Sequence, residues 1–530
     1  MLIAIGEIES ELNAKKYGLV WEEHEEAVDV KMRTHIPVFT EDKSKEIITA
    51  PDEKYNFLLE GDNLHSLRLL EKTHKGKIDV IYIDPPYNTK NKDFIYDDCK
   101  IGEDDGFRHS KWISFMAERL KIAERLLSEK GCLFISIDDN EQAALKLLCD
   151  EIFSEYRFVA LIPWRKRTAK SDVPYGISQD CESILCYANP MYKAAVKGKE
   201  RKYFETDDFP GRPWRFHDLT TQRTIEERPN SNYTMINPKN GDEYPVNPLR
   251  CWAITKDTFQ DYYDENKVIF PGDYPFMNIS KPVLRYWKED DMKKAGADYG
   301  LVAASTYLSS DVVGMTQDGT KQITQIFGNK VFSFPKPAQL IKYLIEISSV
   351  RNPDITVLDF FAGSGTTAQA VLELNHQDGG NRKFILCTNN ENEICEKITY
   401  PRIRTVITGK REDGSTYSDG IPSNLKYYLT DFVAKDAEYL SECLLEHISE
   451  MIQLEHGVKL DGQKYIMVMD DDEADDLVVH WKELTEVKAL YVSKNVLFTT
   501  EQNELFKNVP IHIIPDYYFN FELREAGETW

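Results

Sequence analysis

The sequence predicts an α/β protein built on an open, largely parallel sheet that an irregular insertion interrupts. Three observations carry this. From about residue 55, apolar runs of strand length alternate with amphipathic runs of helix length. The run IDVIYID (78–84) is apolar almost throughout, as a parallel strand covered on both faces requires. The alternation stops between about 191 and 330, where Pro, Gly, Trp, Tyr and Asn become frequent, and then resumes. The sheet is therefore expected from two sequence-separated halves.

Taken in order, residues 1–50 read as a polar helical lead-in. In 51–190, YNFLLEGD is a strand and turn, and NLHSLRLLEKTHKG a helix with Leu64, Leu67 and Leu70 on one side. IDVIYID is the next strand. SKWISFMAERLKIAERLLSEKG is a long amphipathic helix expected to end at Gly131. CLFISID is a strand and NEQAALKLLCDEIF a helix. Residues 191–330 form the insertion, with no long helical period. In 331–424, AQLIKYLIEISSV is a helix, DITVLDFF a strand, TTAQAVLELNHQ a helix and RKFILCT a strand. Residues 425–530 read as a small separate α/β unit, with strands at YIMVMD, ALYVS and IHIIPD and helices between them.

At 530 residues the chain has room for three or four domains of about 150 residues each, and 42% hydrophobic content excludes a disordered chain. No apolar run reaches the roughly 18 residues that span a bilayer, and the N-terminus lacks the basic and apolar regions of a signal peptide, so a cytoplasmic protein is expected. The nine cysteines form no C-x-x-C pair and read as reduced thiols; no metal-ligand spacing stands out, around His65 and His217 included. The net charge of −24 by itself argues against nucleic acid, but it is unevenly spread. Residues 425–530 hold 22 acidic and 9 basic residues (−13), whereas 157–228 hold 14 basic and 10 acidic (+4). A phosphate-contacting surface belongs in the middle of the chain, and the acidic end suits a protein partner.

Two stretches carry chemistry. In IYIDPPYNTK (81–90) a strand ends on Asp84, followed by Pro85, Pro86 and Tyr87. Asp84 and the Pro85 carbonyl are acceptors, the two prolines stiffen their aim, and Tyr87 offers a ring face. Together they suit an exocyclic amine on a planar ring. In VLDFFAGSGTTAQAV (357–371) a buried strand ends at Asp359, passes Gly363 and Gly365, and enters a helix. Glycines there let backbone approach a ligand closely. No G-K-[ST] follows, which excludes a Walker loop, and the full G-x-G-x-x-G pattern is missing.

The two stretches together resemble one family: the amino-group, S-adenosylmethionine-dependent DNA methyltransferases, in which DPPY is the catalytic motif and DFFAGSGTT the cofactor motif. Their order here, catalytic first with a long insertion between, resembles the β class. LEGDNLHSL, KWISFMAERL, LFISIDDNE and FPKPAQLI add to the likeness. DDFPGRPWRFHD and NPKNGDEYPVNPLRCW resemble the modification (Mod) subunits of type III restriction-modification systems. The resemblance covers roughly residues 15–425. It implies a class I, Rossmann-like methyltransferase sheet, circularly permuted, with an inserted target-recognition domain. It also implies S-adenosylmethionine as cofactor, double-stranded DNA as substrate, a homodimer, and a restriction translocase or nuclease as partner.

Residue by residue, the resemblance assigns Asp84, Pro85, Pro86 and Tyr87 to catalysis. Asp359, Phe361, Ala362, Gly363 and Gly365 match the loop at the methionine end of the cofactor, with Ser364 and Thr366 capping the helix or meeting the cofactor carboxylate. Asp62 matches the acid beside the cofactor adenine, and Lys336-Pro337 the motif beside the methionine moiety. The acid that usually binds the ribose is replaced by FILCTNNENE, where Asn389, Asn390 or Glu391 stands. Aspartate at the head of DPPY is typical of adenine enzymes; cytosine-N4 enzymes usually carry serine there. DNA contacts are expected from Trp164, Arg165, Lys166, Arg167 and Lys170, and from Arg212, Trp214 and Arg215, where basic and aromatic residues interleave. The expected activity is sequence-specific adenine-N6 methylation of a flipped base. The alternatives are a DNA-specificity and assembly subunit, or a cytosine-N4 enzyme.

Overall fold

The computed structural model describes residues 19, 21–89, 95–96, 99–100, 106–168 and 176–528. They fall into two compact units: residues 1–194 together with 304–530, and residues 195–303.

The larger unit is organised by a ten-stranded sheet. Its strands are β1 (His35–Glu41), β2 (Ile47–Ile48), β3 (Tyr55–Glu60), β4 (Ile78–Ile83), β5 (Leu127–Ile137), β6 (Phe158–Arg165), β7 (Cys181–Ala188), β8 (Thr356–Asp359), β9 (Lys383–Thr388) and β10 (Asn424–Ala434). Across the sheet the order is β1-β10-β3-β9-β8-β4-β5-β7-β6, with β2 beside β10. The six strands from β10 to β5 run parallel to their neighbours, while β1, β7 and β6 are antiparallel. The two sequence halves meet where β8 pairs with β4, Val357 opposite Val80 and Leu358 opposite Ile81. Leu58, Leu59, Ile81, Ile83, Leu133, Ile135, Leu358 and Leu386 are fully buried in this sheet. Each such side chain contributes about 1.5–3 kcal/mol.

Helices α1 (Asn63–His74), α2 (Arg108–Leu126) and α3 (Gln142–Phe153) follow β3, β4 and β5; α4 (Thr316–Phe327) and α5 (Ala338–Ser349) precede β8, and α6 (Thr366–Asp378) follows it. The loops after β3, β4 and β8 thus leave parallel strands at their carboxyl ends and lead to helices, the arrangement in which α/β sheets bind ligands.

Several elements differ from the sequence reading. The lead-in holds a helix at Ala27–Thr34, but residues 35–48 add two strands to the sheet. Gly131 does not cap α2, which ends at Leu126. Residues 128–131 form a bulge in β5, between the Ile78–Leu127 and Val80–Cys132 pairs. A Cβ at Gly131 would lie 2.9 Å from the Ile78 carbonyl, so glycine serves close packing there. Helix α4 lies in a stretch read as helix-free; its Gly and three Thr have weak helix propensity, and burial of Ile323 and Ile326 overrides it. The boundary expected at 425 falls inside β10, a strand of the main sheet. The last strands, Tyr465–Val468, Ala489–Val492 and Ile511–Ile513, form a three-stranded parallel sheet with helices Asp471–His480 and Thr500–Phe506 between them. Ala489 and Tyr491 on one face join the core of the large unit, while Leu490 and Val492 pack in a smaller cluster.

The smaller unit is a four-stranded antiparallel sheet, Phe204–Thr206, Phe209–Asp218, Val283–Trp287 and Val268–Ile269, with short irregular elements around it. Among the described residues no helix is long and apolar enough to cross a membrane.

Candidate active site

Four adjacent strands, β3, β9, β8 and β4, end at the same sheet edge and present Asp62, Asn389, the 359–365 loop and Asp84 in that order. Asp84 and Asp359, 275 positions apart in sequence, therefore share one rim.

The β4 tip is tightly tied. The carboxylate of Asp84 accepts from the Lys336 ammonium at 2.8 and 2.9 Å, and from the Tyr87 hydroxyl at 2.7 Å. Lys336 also donates to the Tyr87 hydroxyl at 2.7 Å and lies 3.3 Å from Glu182 on β7. The Pro86 carbonyl accepts from the Trp112 indole at 2.7 Å. No hydrogen bond reaches the Pro85 carbonyl among the described residues. Asn88 is buried with φ +53, and its amide donates to Glu141 at 2.5 Å, which fixes the turn after Tyr87. His109 Nδ1 lies 2.5 Å from the same Glu141 oxygen.

Charge stabilises this cluster against its burial. Burial pulls the Lys336 ammonium down, but Asp84 and Glu182 outweigh it and leave the group above an ordinary lysine. Burial likewise raises Glu182, yet Lys336 and Lys166 bring it below the usual carboxylate range. Burial and the two acids push the Tyr87 hydroxyl far up, so it stays a donor.

The β8 loop is built around Asp359, which is 2% exposed. It accepts from the Phe361 amide at 3.0 Å and the Thr367 hydroxyl at 2.5 Å, and burial pushes its carboxyl up to about 7. Gly363 and Gly365 take φ of +49 and +77, which the turn demands. A Cβ at Gly365 would stand 3.2 Å from the Thr399 methyl, while the Thr399 hydroxyl donates to the Gly363 carbonyl at 2.6 Å. Ala362 is buried, and its amide donates to the Cys387 carbonyl at 3.1 Å. Ser364 and Thr366 do not cap α6, whose N-cap is Gly365; both hydroxyls accept from the buried Arg402, at 2.9 and 2.8 Å. Burial lowers Arg402 to about 10.

Asp62 caps α1 by accepting from the Leu64 amide at 2.8 Å and sits 3.4 Å from Arg119; its side chain remains 34% exposed. Asn63 next to it donates to the Phe360 carbonyl at 2.7 Å and accepts from Arg119 at 2.6 Å, coupling the β3 and β8 loops. Asn389 follows β9 directly, and Asn390 turns back to accept from the Cys395 and Glu396 amides. Pro337 is the N-cap residue of α5. The rim thus offers a glycine-lined cradle beside the β8 loop and acid or amide groups one and two strands away. This fits a ligand with a small charged end and a hydroxyl-rich end.

The residues expected to touch DNA divide sharply. Trp164 is 1% exposed, donates to the Gly314 carbonyl at 3.0 Å, and its ring lies 5.7 Å from the Lys336 ammonium. Trp214 is fully buried and donates to Thr206 at 2.9 Å. Neither indole reaches a base, because each points inward from its strand. Lys166 pairs with Glu182 at 3.1 Å, Arg215 with Asp291 at 2.6 Å, and Arg212 with Glu289 at 2.6 Å while stacking on Trp287. Arg165 is exposed, Arg167 half-buried, and Lys170 lies outside the described residues. Glu182, Asn63, Arg119, Thr367, Thr399 and Arg402 escaped the sequence reading, since each acts through spatial neighbours and no local pattern marks it.

Residues 78–400 match the DNA methylase family. The chain belongs to that family. Among curated proteins, the chain is 33% identical over 413 residues to the Mod subunit of the StyLTI type III restriction-modification enzyme of Salmonella typhimurium, covering 69% of this chain and 58% of that protein. It is 32% identical over 366 residues to the type II methyltransferase M.KpnI of Klebsiella pneumoniae, covering 64% and 82%. A solved M1.HpyAVI–SAM complex is similar at 16% identity and a TM-score of 0.28, covering 65% and 98%. The chain therefore spans less than two thirds of the length of the StyLTI Mod subunit.

Proposed function

We propose that this DNA methylase transfers a methyl group from S-adenosylmethionine to the N6 amino group of adenine in DNA, as the modification component of a restriction-modification system. The observation that carries the reading is the pairing of β4 with β8, which brings Asp84 and the 359–365 loop to one rim. Aspartate rather than serine at the head of the DPPY motif favours adenine.

S-adenosylmethionine supplies an activated methyl group on a sulfonium. Gly363, Gly365 and the Asp359 loop hold its amino-acid end, and Asp62 and Asn389 its nucleoside end. Adenine N6 is a poor nucleophile because its lone pair is delocalised into the ring. Asp84 and the Pro85 carbonyl accept hydrogen bonds from its two hydrogens, which favours a pyramidal nitrogen and holds it in line; as the N–methyl bond forms and the bond from methyl to sulfur breaks, the surplus N6 proton leaves through Asp84 to solvent. Rate then comes from positioning and electrostatics. The base leaves the duplex to reach this rim, and the Tyr87 ring packs on it. The smaller unit reads the target sequence, a second copy of the chain and a restriction subunit complete the assembly, and both are open to test by co-purification.

The direct test is incubation of the full chain with methylation-free amplified genomic DNA and methyl-labelled S-adenosylmethionine. Label in N6-methyladenine is the expected result. Label in cytosine would overturn the base assignment, and no label in DNA under any condition would overturn the activity.

A further inference from the structure

The pairing at the β4 tip poses a difficulty for the function proposed above. Asp84 is already occupied: both carboxylate oxygens accept from Lys336 and one also from Tyr87. An ammonium at 2.8 Å neutralises the acid and stands where an amino group would bind. An ionised carboxylate accepts about four hydrogen bonds, so three are spent before a base arrives.

The same ammonium has a second carboxylate in reach. Glu182 Oε2 is 3.3 Å from Lys336 Nζ, against 2.8 Å for Asp84. Glu182 is itself fixed, since Lys166 holds its other oxygen at 3.1 Å and the Tyr87 hydroxyl lies 3.3 Å from the near one. The Lys336 backbone is clamped. Gly319 of α4 lies so close that a Cβ there would stand 2.2 Å from the Pro335 carbonyl, and Thr366 donates to the Lys336 carbonyl at 3.4 Å. Trp164 and Tyr87 wall the side chain, with ring centres 5.7 and 5.0 Å from Nζ. Only the flexible tip can move, and it has two acids to choose between. Two carboxylates and two ammoniums make the cluster neutral, so shifting Lys336 from one acid to the other changes no net charge, and the Asp84 carboxylate it leaves keeps the Tyr87 hydroxyl and gains the incoming amino group.

Building on the proposed methyl transfer, we propose that Glu182 is a positioning residue that takes the Lys336 ammonium off Asp84 when the target amino group enters. Asp84 is then a free, fully charged acceptor, and Lys336 returns to it once the methylated base leaves. The movement of Lys336 itself transfers no proton. Lys336 acts as a latch that keeps the acid covered without DNA, and Glu182 as its resting place during the reaction.

The test is single-turnover methylation of methylation-free amplified genomic DNA by the full chain, with cofactor affinity measured in parallel by calorimetry. E182Q is expected to slow transfer about tenfold or more, the scale of a lost charge-assisted hydrogen bond, with cofactor affinity within about twofold of wild type. E182D, which keeps the charge, recovers most of the rate. The decisive comparison is the double variant E182Q/K336M. Removing the ammonium that E182Q strands on Asp84 makes the double variant faster than E182Q alone, whereas a purely structural Glu182 makes it equal or slower. A wild-type rate in E182Q, or a double variant no faster than E182Q, overturns the latch while wild-type transfer stands. Absence of transfer by the wild type overturns the proposed activity and the latch with it.

Discussion

Asp359→Asn isolates one electrostatic quantity. The acid is 2% exposed, and burial pushes its carboxyl up to about 7, with the Thr367 hydroxyl and Phe361 amide pulling the other way and Asp84 adding to the rise. The unfolded value is near 3.8. A carboxyl raised on folding binds its proton more tightly in the folded state. Its contribution to stability is complete below about pH 3.8 and is lost as the pH rises through about 7. Between pH 5 and pH 8 the loss amounts to about 3 kcal/mol, taking 1.36 kcal/mol per pH unit. Asparagine keeps an acceptor for the Phe361 amide and cannot ionise, so it lacks this term. For a unit of about 400 residues the unfolding entropy is about 0.9 kcal/mol/K, so the melting difference, wild type minus D359N, should fall by about 3 °C from pH 5 to pH 8. Thermal melts of the full chain at four pH values measure it. A difference constant to within about 1 °C would refute the claim that the acid ionises in a dry site.

Three further outcomes follow from the geometry. D84A should reduce methyl transfer by about 10³-fold or more while leaving cofactor affinity within about threefold, read by label incorporation and calorimetry. G365A forces a side chain into a left-handed position beside Thr399, and should weaken cofactor binding about tenfold, since that conformation costs about 1–2 kcal/mol; calorimetry with S-adenosylmethionine checks it. W164A should lower stability by about 3–5 kcal/mol, as removal of a buried tryptophan does, and a melt showing no change would restore Trp164 as a surface DNA contact.

The β4 tip was legible because its chemistry is local: an acid, two prolines and a tyrosine in consecutive positions at a strand end. The 359–365 loop was legible for the same reason, with positive φ at Gly363 and Gly365 following from a turn that only glycine adopts without strain. The burial of Trp164 and Trp214 has no mark in the adjacent residues, because Trp beside Arg looks the same whichever face it takes. The strand period held a usable signal: Ile162 and Trp164 are buried and Pro163 and Arg165 exposed, so alternation places the indole with the core and the arginine with water. Helix α4 is not legible locally because its weak propensity is offset by packing, and Gly319 faces the Lys336 backbone for a reason invisible along the chain.

The sequence alone determined the α/β class, most elements of the main sheet, the two reacting loops and the family they resemble, because each depends on residues within a few positions of one another. Tertiary structure alone decided that β8 lies against β4, that β10 lies between β3 and β1, and that Glu182, Lys336 and Lys166 share one charge cluster with Asp84. Strand order, the inward or outward face of each tryptophan, and the partner of a buried charge are set by contacts between residues hundreds of positions apart. No local pattern encodes them.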